Sequence, residues 1–265
     1  FTYKINPTAN PNIGSGKFDG EGIPADFFSD PDVRKAFAYS VDSSGYVKDI
    51  LKGRGAANNF IYPEGMIGRD GRKPRYDLDL KKAAEHLKKA WKGQAWEKGF
   101  KFSVVYNAGS PPAQVICQMI KKNIESLSPK FVVDVRAVQW STYLEQTQAR
   151  KIPIFVGAWL ADFPDPHNFV FPLLHSQGYF AGKQGFSSAK IDKLIGEAVV
   201  VLDEKKRASL YAKIQDAYEE ELPNVILGDA VRYRAQRAWV KGYQFSPVFP
   251  DGPYGSYYYD LSKKE

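Results

Sequence analysis

From Phe100 to Leu160 the chain switches repeatedly between two hydrophobic periods: "FKFSVVYNA", "PPAQVICQMIKKNIES", "KFVVDVRAVQ", "WSTYLEQTQAR" and "KIPIFVGAWL" follow one another with short joins. The first, third and fifth are strand-length runs dense in β-branched and aromatic residues, and the second and fourth space their apolar residues as a helix does. Strands and helices taking turns leave few ways to bury both kinds of apolar face. An α/β layer, a mixed sheet with helices packed on it, satisfies them.

The flanks add helices. "SDPDVRKAFAYSVD" predicts one capped by Ser29 or Asp30, with Pro31 in the first turn and Val33, Ala36, Phe37 and Val41 on a buried face. "DLDLKKAAEHLKKAWKG" predicts another, its stripe formed by Leu80, Ala83, Ala84, Leu87, Ala90 and Trp91 with lysines opposite, and His86 at the surface or boundary. Two more are predicted over "SSAKIDKLIGEAVVVLD", with Ile191, Leu194, Ile195, Ala198, Val199 and Leu202 inward, and over "DEKKRASLYAKIQDAYEEELP", stopped at Pro223. "FTYKI" reads as a strand before an irregular connection, "LKGRGAANNFIYPEGMIGRDGRKPRYD" as a long surface loop, and "NVILGDAVRYRAQRAWV" as strand-like before an aromatic tail.

Composition excludes several classes. With 43% hydrophobic and 25% charged residues, the 265-residue chain has the make-up of a folded globular protein. Its formal charge of +7 comes from 37 Lys and Arg interleaved with 30 Asp and Glu. No basic stripe emerges, so the surface reads as solvated and no nucleic-acid partner is expected. No apolar run approaches the ~20 residues that a membrane span needs. The opening residues lack a signal-peptide pattern, and a chain that begins at Phe1 reads as a processed piece, for which that absence is uninformative. Cys117, in "QVICQMI", reads as a buried thiol on a helix.

Chemistry concentrates in "GAWLADFPDPHNFVFPLLHS", Gly157 to Ser176. There is no Gly-x-Ser-x-Gly elbow, and "GSGKFDG" at Gly14 has neither phosphate-loop nor dinucleotide spacing. His167, His175, Asp162 and Asp165 match no metal-ligand spacing, so neither metal nor cofactor is expected. Asp162 and Asp165 beside Trp159 suggest a glycoside hydrolase pair, but carboxylates so close on one loop seldom flank a bond at ~5–9 Å. Asp165 and Pro166 are turn residues. Asp162 lies at a strand end beside an aromatic wall, where a carboxylate suits a cationic ligand group such as an amine.

The ordered series "FFSDPDVRKAFAYSVD", "YDLDLKKAAEHLKKA", "GFKFSVVYNAG", "GAWLADFPDPHNF", "DEKKRASLYAKIQ" and "VKGY" resembles the solute-binding proteins of ABC importers, in the oligopeptide and dipeptide branch. The resemblance covers roughly residues 24 to 245 and implies a lobe of the type II periplasmic-binding-protein kind. Family members have two lobes and chains about twice this length. The resemblance therefore implies a substrate-binding lobe over 25–235, with 1–24 and 236–265 as strand, connection and return segments of a missing N-terminal lobe and hinge. It implies capture without chemistry: a peptide held in an interlobe cleft and delivered to the permease, in the periplasm or outside the cell, with a lipoprotein anchor compatible with the full length. By position, Asp162 pairs with the ligand's α-amino group, the backbone at Trp159 and Leu160 lines the peptide's path, and Tyr106 and Asn107 of "YNAG" face the cleft. An oligosaccharide is the alternative ligand in the same family. Two departures stand out: "SPPAQ" where an arginine often follows the "YN-x-G" turn, and a histidine in "DPHNF".

Overall fold

A computed structural model describes residues 1–72, 75–231, 235–243 and 262–263. In order it forms α1 (Pro31–Ala38), a single turn α2 (Ser43–Gly45), β1 (Gly55–Ala57), α3 (Leu80–Lys89), α4 (Gln94–Lys98), β2 (Phe100–Asn107), α5 (Pro111–Glu125), β3 (Phe131–Val138), α6 (Trp140–Gln148) and β4 (Ile154–Phe155). Next come α7 (His167–Leu174), α8 (Tyr179–Gln184), α9 (Ala189–Val200), α10 (Glu204–Glu221) and β5 (Gly228–Ala230). A last antiparallel pair joins β6 (Val240–Lys241) to β7 (Ser262–Lys263).

β2 is the central strand, parallel to β3 on one side and β4 on the other, as strands joined through helices must be. Its residues Phe102, Val104 and Val105 are buried on both faces, the pattern of a covered parallel strand. β3 pairs along its whole length, from Phe131 opposite Phe100 to Val138 opposite Asn107. β4 meets β2 only at Ile154 and Phe155, so most of the expected strand "KIPIFVGAWL" lies off the ladder. β1 and β5 form a separate antiparallel ribbon, Gly55 opposite Ala230.

Two cores result. The first gathers Phe27, Phe28, Phe37, Phe100, Phe102 and Phe131 between α1 and the sheet, with Phe100 and Phe131 stacked at 4.5 Å. Phe1, Ile5, Ile13 and Ile23 of the opening segment pack into this same core. Asp30 caps α1, its Oδ1 accepting from the N–H of Asp32 at 2.7 Å and of Val33 at 3.3 Å, and its Oδ2 accepts from the Trp91 N–H at 2.7 Å. One carboxylate thus starts α1 and ties it to the segment after α3. His86 sits at the boundary, Nδ1 2.7 Å from Asp32 Oδ1 and its ring stacked on Tyr39. The second core packs α7, α9 and α10 around Val170, Leu174, Ile195, Tyr211 and Tyr218.

Several expectations change. "FTYKI" forms no strand, because its N–H groups reach scattered partners: Thr2 to Pro153 O, Tyr3 to Gln184 O, Ile5 to Ala25 O. The expected surface loop after Leu51 is partly interior, with Phe60, Ile61 and Tyr62 at 1–2% exposure; the apolar triplet outweighs its glycine-rich flanks. α7 and α8 were not expected from the loop-like composition of "DPHNFVFPLLHS" and the residues after it. In α9, Ile191, Ile195 and Ala198 turn inward, whereas Val199 is exposed. Leu202, 95% exposed, lies past the helix end at Val200, where helical spacing no longer applies. Most of the aromatic tail, and Arg232–Arg234 of the strand-like run, lie outside the described residues.

Candidate functional site

Past β4 the chain leaves the sheet without finding new backbone partners. From Gly157 to Ala161, no main-chain N–H or C=O takes part in a backbone hydrogen bond to another described residue. Gly157 is fitted to its place by Phe180, whose ring would lie 3.2 Å from a Cβ there. This segment lines a cavity of about 670 Å³, as does Asn224–Ala230. Phe37, Val41, Ile120 and Leu173 contribute apolar surface from both cores.

Trp159 and Leu160 line this cavity; Asp162, Tyr106 and Asn107 do not. Tyr106 is 8% exposed and belongs to the first core, and Asn107 is half-buried, its Oδ1 accepting from the Gly109 N–H at 3.4 Å. The "YNAG" pair therefore closes a strand rather than meeting Trp159 and Leu160. Trp159 is held by its indole Nε1, which donates to Asn168 O at 2.6 Å and Asn168 Oδ1 at 3.3 Å. The same Oδ1 accepts from the Asp162 N–H at 3.2 Å. Asn168, buried in the first turn of α7, thus fixes both the aromatic wall and the backbone of the acid. Sequence reasoning passed over it; the available signal was an amide two residues after a proline turn, at the start of an apolar helical run.

The two carboxylates of the motif have different surroundings. Asp162 is exposed, and its carboxylate has no ion pair among the described residues. Asp165 is the turn residue expected, its Oδ1 accepting from the His167 N–H at 2.8 Å. It is also paired with Arg207, whose Nη2 lies 2.8 Å from Oδ2 and 2.9 Å from Oδ1. A carboxylate committed to a guanidinium is a poor partner for Asp162 in acid–base work.

Both histidines contact one ring. His167 lies 5.4 Å from Phe171, and His175 stacks on it at 4.6 Å. Burial holds the His167 pKa below the usual imidazole value, and its buried Nδ1 has no hydrogen-bond partner among the described residues. His175 Nδ1 accepts from the Gln177 N–H at 3.1 Å. Among the described residues, no three His, Cys, Asp or Glu side chains are grouped to hold a metal ion. Burial pushes the Cys117 thiol up to about 12, which leaves it protonated and inert as a nucleophile. No helix among the described residues is long and apolar enough to cross a membrane.

Residues 3–181 match the family model of bacterial extracellular solute-binding proteins, family 5, middle region. The chain is 27% identical over 226 residues to di/tripeptide-binding protein 2 of Pseudomonas aeruginosa, covering 83% of this chain and 41% of that protein. It is 29% identical over 215 residues to the oligopeptide-binding protein OppA of Bacillus subtilis, covering 78% of this chain and 38% of that protein. A dipeptide-binding protein from Pseudoalteromonas sp. SM9913, solved with Met-Leu, superimposes with a TM-score of 0.73 at 22% identity, over 93% of this chain and 47% of that one. That likeness establishes the fold, α/β of the type II periplasmic-binding-protein kind. The chain spans less than half the length of each of these relatives. On the match over residues 3–181, this chain belongs to the bacterial extracellular solute-binding proteins, family 5.

Proposed function

We propose that the chain is the substrate-binding, C-terminal lobe of a peptide-capturing component of an ABC importer. Residues 25–235 form the lobe, and 1–24 and 236–265 connect it to a first lobe elsewhere in the full-length protein. The ligand is a di- or oligopeptide, taken up in the cleft between lobes and handed to the permease, in the periplasm or outside the cell. The observation that carries this reading is the unpaired backbone from Gly157 to Ala161 running into the unpaired carboxylate of Asp162. An extended peptide satisfies such an edge by main-chain hydrogen bonds, and its α-ammonium supplies the charge that Asp162 lacks. Trp159 gives the peptide an apolar wall. Binding favours the closed arrangement through its differential affinity, and no bond is made or broken.

The test is calorimetric titration of the full-length protein with short peptides. Asp162→Asn should weaken binding by about 2–5 kcal/mol, the cost of removing one member of a desolvated charge pair. N-acetylation of the peptide should produce a comparable loss in the unchanged protein. Equal affinity of wild type and Asp162→Asn for the free-amine peptide would remove Asp162 from the site.

A further inference from the structure

The cavity beside Gly157–Ala161 is lined mostly by apolar residues, among them Leu51, Phe60, Ile61 and Met66. Among the described residues, Asp229 of β5 is the single Asp, Glu, Lys, Arg or His in that lining. Asn58, only 2% exposed, holds this carboxylate, donating from Nδ2 to Asp229 Oδ2 at 2.8 Å. Asn58 is fixed in turn, its Oδ1 accepting from the Phe60 N–H at 2.9 Å. The other oxygen of Asp229 has no hydrogen bond, and the carboxylate no ion pair, among the described residues.

A half-buried carboxylate without a counter-charge carries a desolvation cost, and burial raises the Asp229 pKa above the ordinary carboxylate value. The Asn58 hydrogen bond offsets part of that cost. Arg69, its guanidinium 3.2 Å from the Phe60 ring centroid, and Glu64 act on the carboxylate in opposite directions. A cation brought by a ligand supplies the missing partner. The lining dictates how that cation arrives: past apolar side chains, at the end of an apolar stem. A lysine side chain has this make-up, a flexible carbon stem ending in a compact ammonium. With Oδ2 committed to Asn58, Asp229 offers one free oxygen, which suits an ammonium better than the two-pronged guanidinium of arginine.

We propose that Asp229 is a specificity-determining residue, selecting a lysine side chain of the ligand that is received in the apolar cavity. The peptide's main chain runs along Gly157–Ala161, and one side chain crosses the cavity from there to the free oxygen of Asp229. The proposal rests on the peptide reading above and narrows it to peptides that carry lysine.

The experiment titrates the full-length protein calorimetrically with Lys-Ala-Ala, Ala-Lys-Ala and Ala-Ala-Lys, and with the same tripeptides carrying norleucine or arginine in place of lysine. In wild type, at one position lysine should bind roughly tenfold or more tightly than norleucine, the coupling of a close charge pair. Arginine at that position should bind more weakly than lysine. In Asp229→Asn, which keeps an acceptor for Asn58, the lysine and norleucine peptides should bind alike. Equal binding of lysine and norleucine to wild type at every position, or a lysine preference that survives in Asp229→Asn, overturns the assignment while leaving peptide binding intact. Arginine binding as tightly as lysine overturns the selection of lysine. A loss in Asp229→Asn that is the same for lysine and norleucine peptides puts the α-ammonium at Asp229, and overturns the assignment too. Should Asp229→Asn not fold, Asp229→Ser takes its place in the same comparisons. Failure of every peptide to bind wild type refutes the peptide reading, and the Asp229 assignment falls with it.

Discussion

Asn168 organises more of the site than any residue that the motif itself advertises. Its Oδ1 serves two donors, the Trp159 indole and the Asp162 amide, from within the first turn of α7. Asn168→Ala should destabilise the chain by about 1–3 kcal/mol, since it strands the Asp162 N–H. A urea titration followed by tryptophan fluorescence reads this, and an unchanged midpoint would show the amide to be dispensable. Legibility in the sequence divided along the same line. Asp165 could be read as a turn residue because turn chemistry is local, carried by an aspartate beside a proline. Its ion pair with Arg207 could not, because that partner arrives from α10. The placement of Tyr106 in the core was hidden for a similar reason: a tyrosine at a strand end reads the same whether its ring turns toward a cleft or into packing.

At the level of elements, the strongly periodic segments were legible. α1, α3, α5, α6, α9 and α10 and the strands β2 and β3 stand where the hydrophobic spacing puts them. α7 was not, since its sequence "HNFVFPLL" is apolar nearly all round, contains Pro172, and so shows neither a clean stripe nor a helix-forming composition. Its helicity comes from burial of Val170, Leu173 and Leu174 against α9 and from the turn at Asp165 that starts it. α1 is the opposite case, started by local chemistry. Asp30→Ala removes both cap bonds and the bond to Trp91 together, so the loss should exceed the ~1 kcal/mol of a cap alone, in the direction of lower stability. Asp30→Asn keeps the acceptor at the cap and should recover part of it. Denaturant midpoints of the two variants measure the difference, and equal midpoints for Asp30→Ala and wild type would refute the double role.

At the scale of the whole molecule, the apolar cavity draws its walls from both cores and from the run that joins them, so the site belongs to neither core alone. The chain spans about 41% of its di/tripeptide-binding relative. On the proposed function, the 265-residue chain by itself should show little affinity for peptides that the full-length protein binds tightly. Parallel calorimetric titrations of the two compare them directly, and tight binding by the short chain would overturn the two-lobe reading. The β1–β5 ribbon adds a constraint on time. It pairs the early part of the chain with the late part, and the Asn58 side chain reaches Asp229 across a separation of 171 residues. At synthesis rates of about 5–20 residues per second, β1 waits on the order of ten seconds for its partner to be made. The sheet around β2 contains only nearer pairings and can assemble during that interval. The ribbon, and with it the Gly228–Ala230 part of the cavity lining, closes after that sheet.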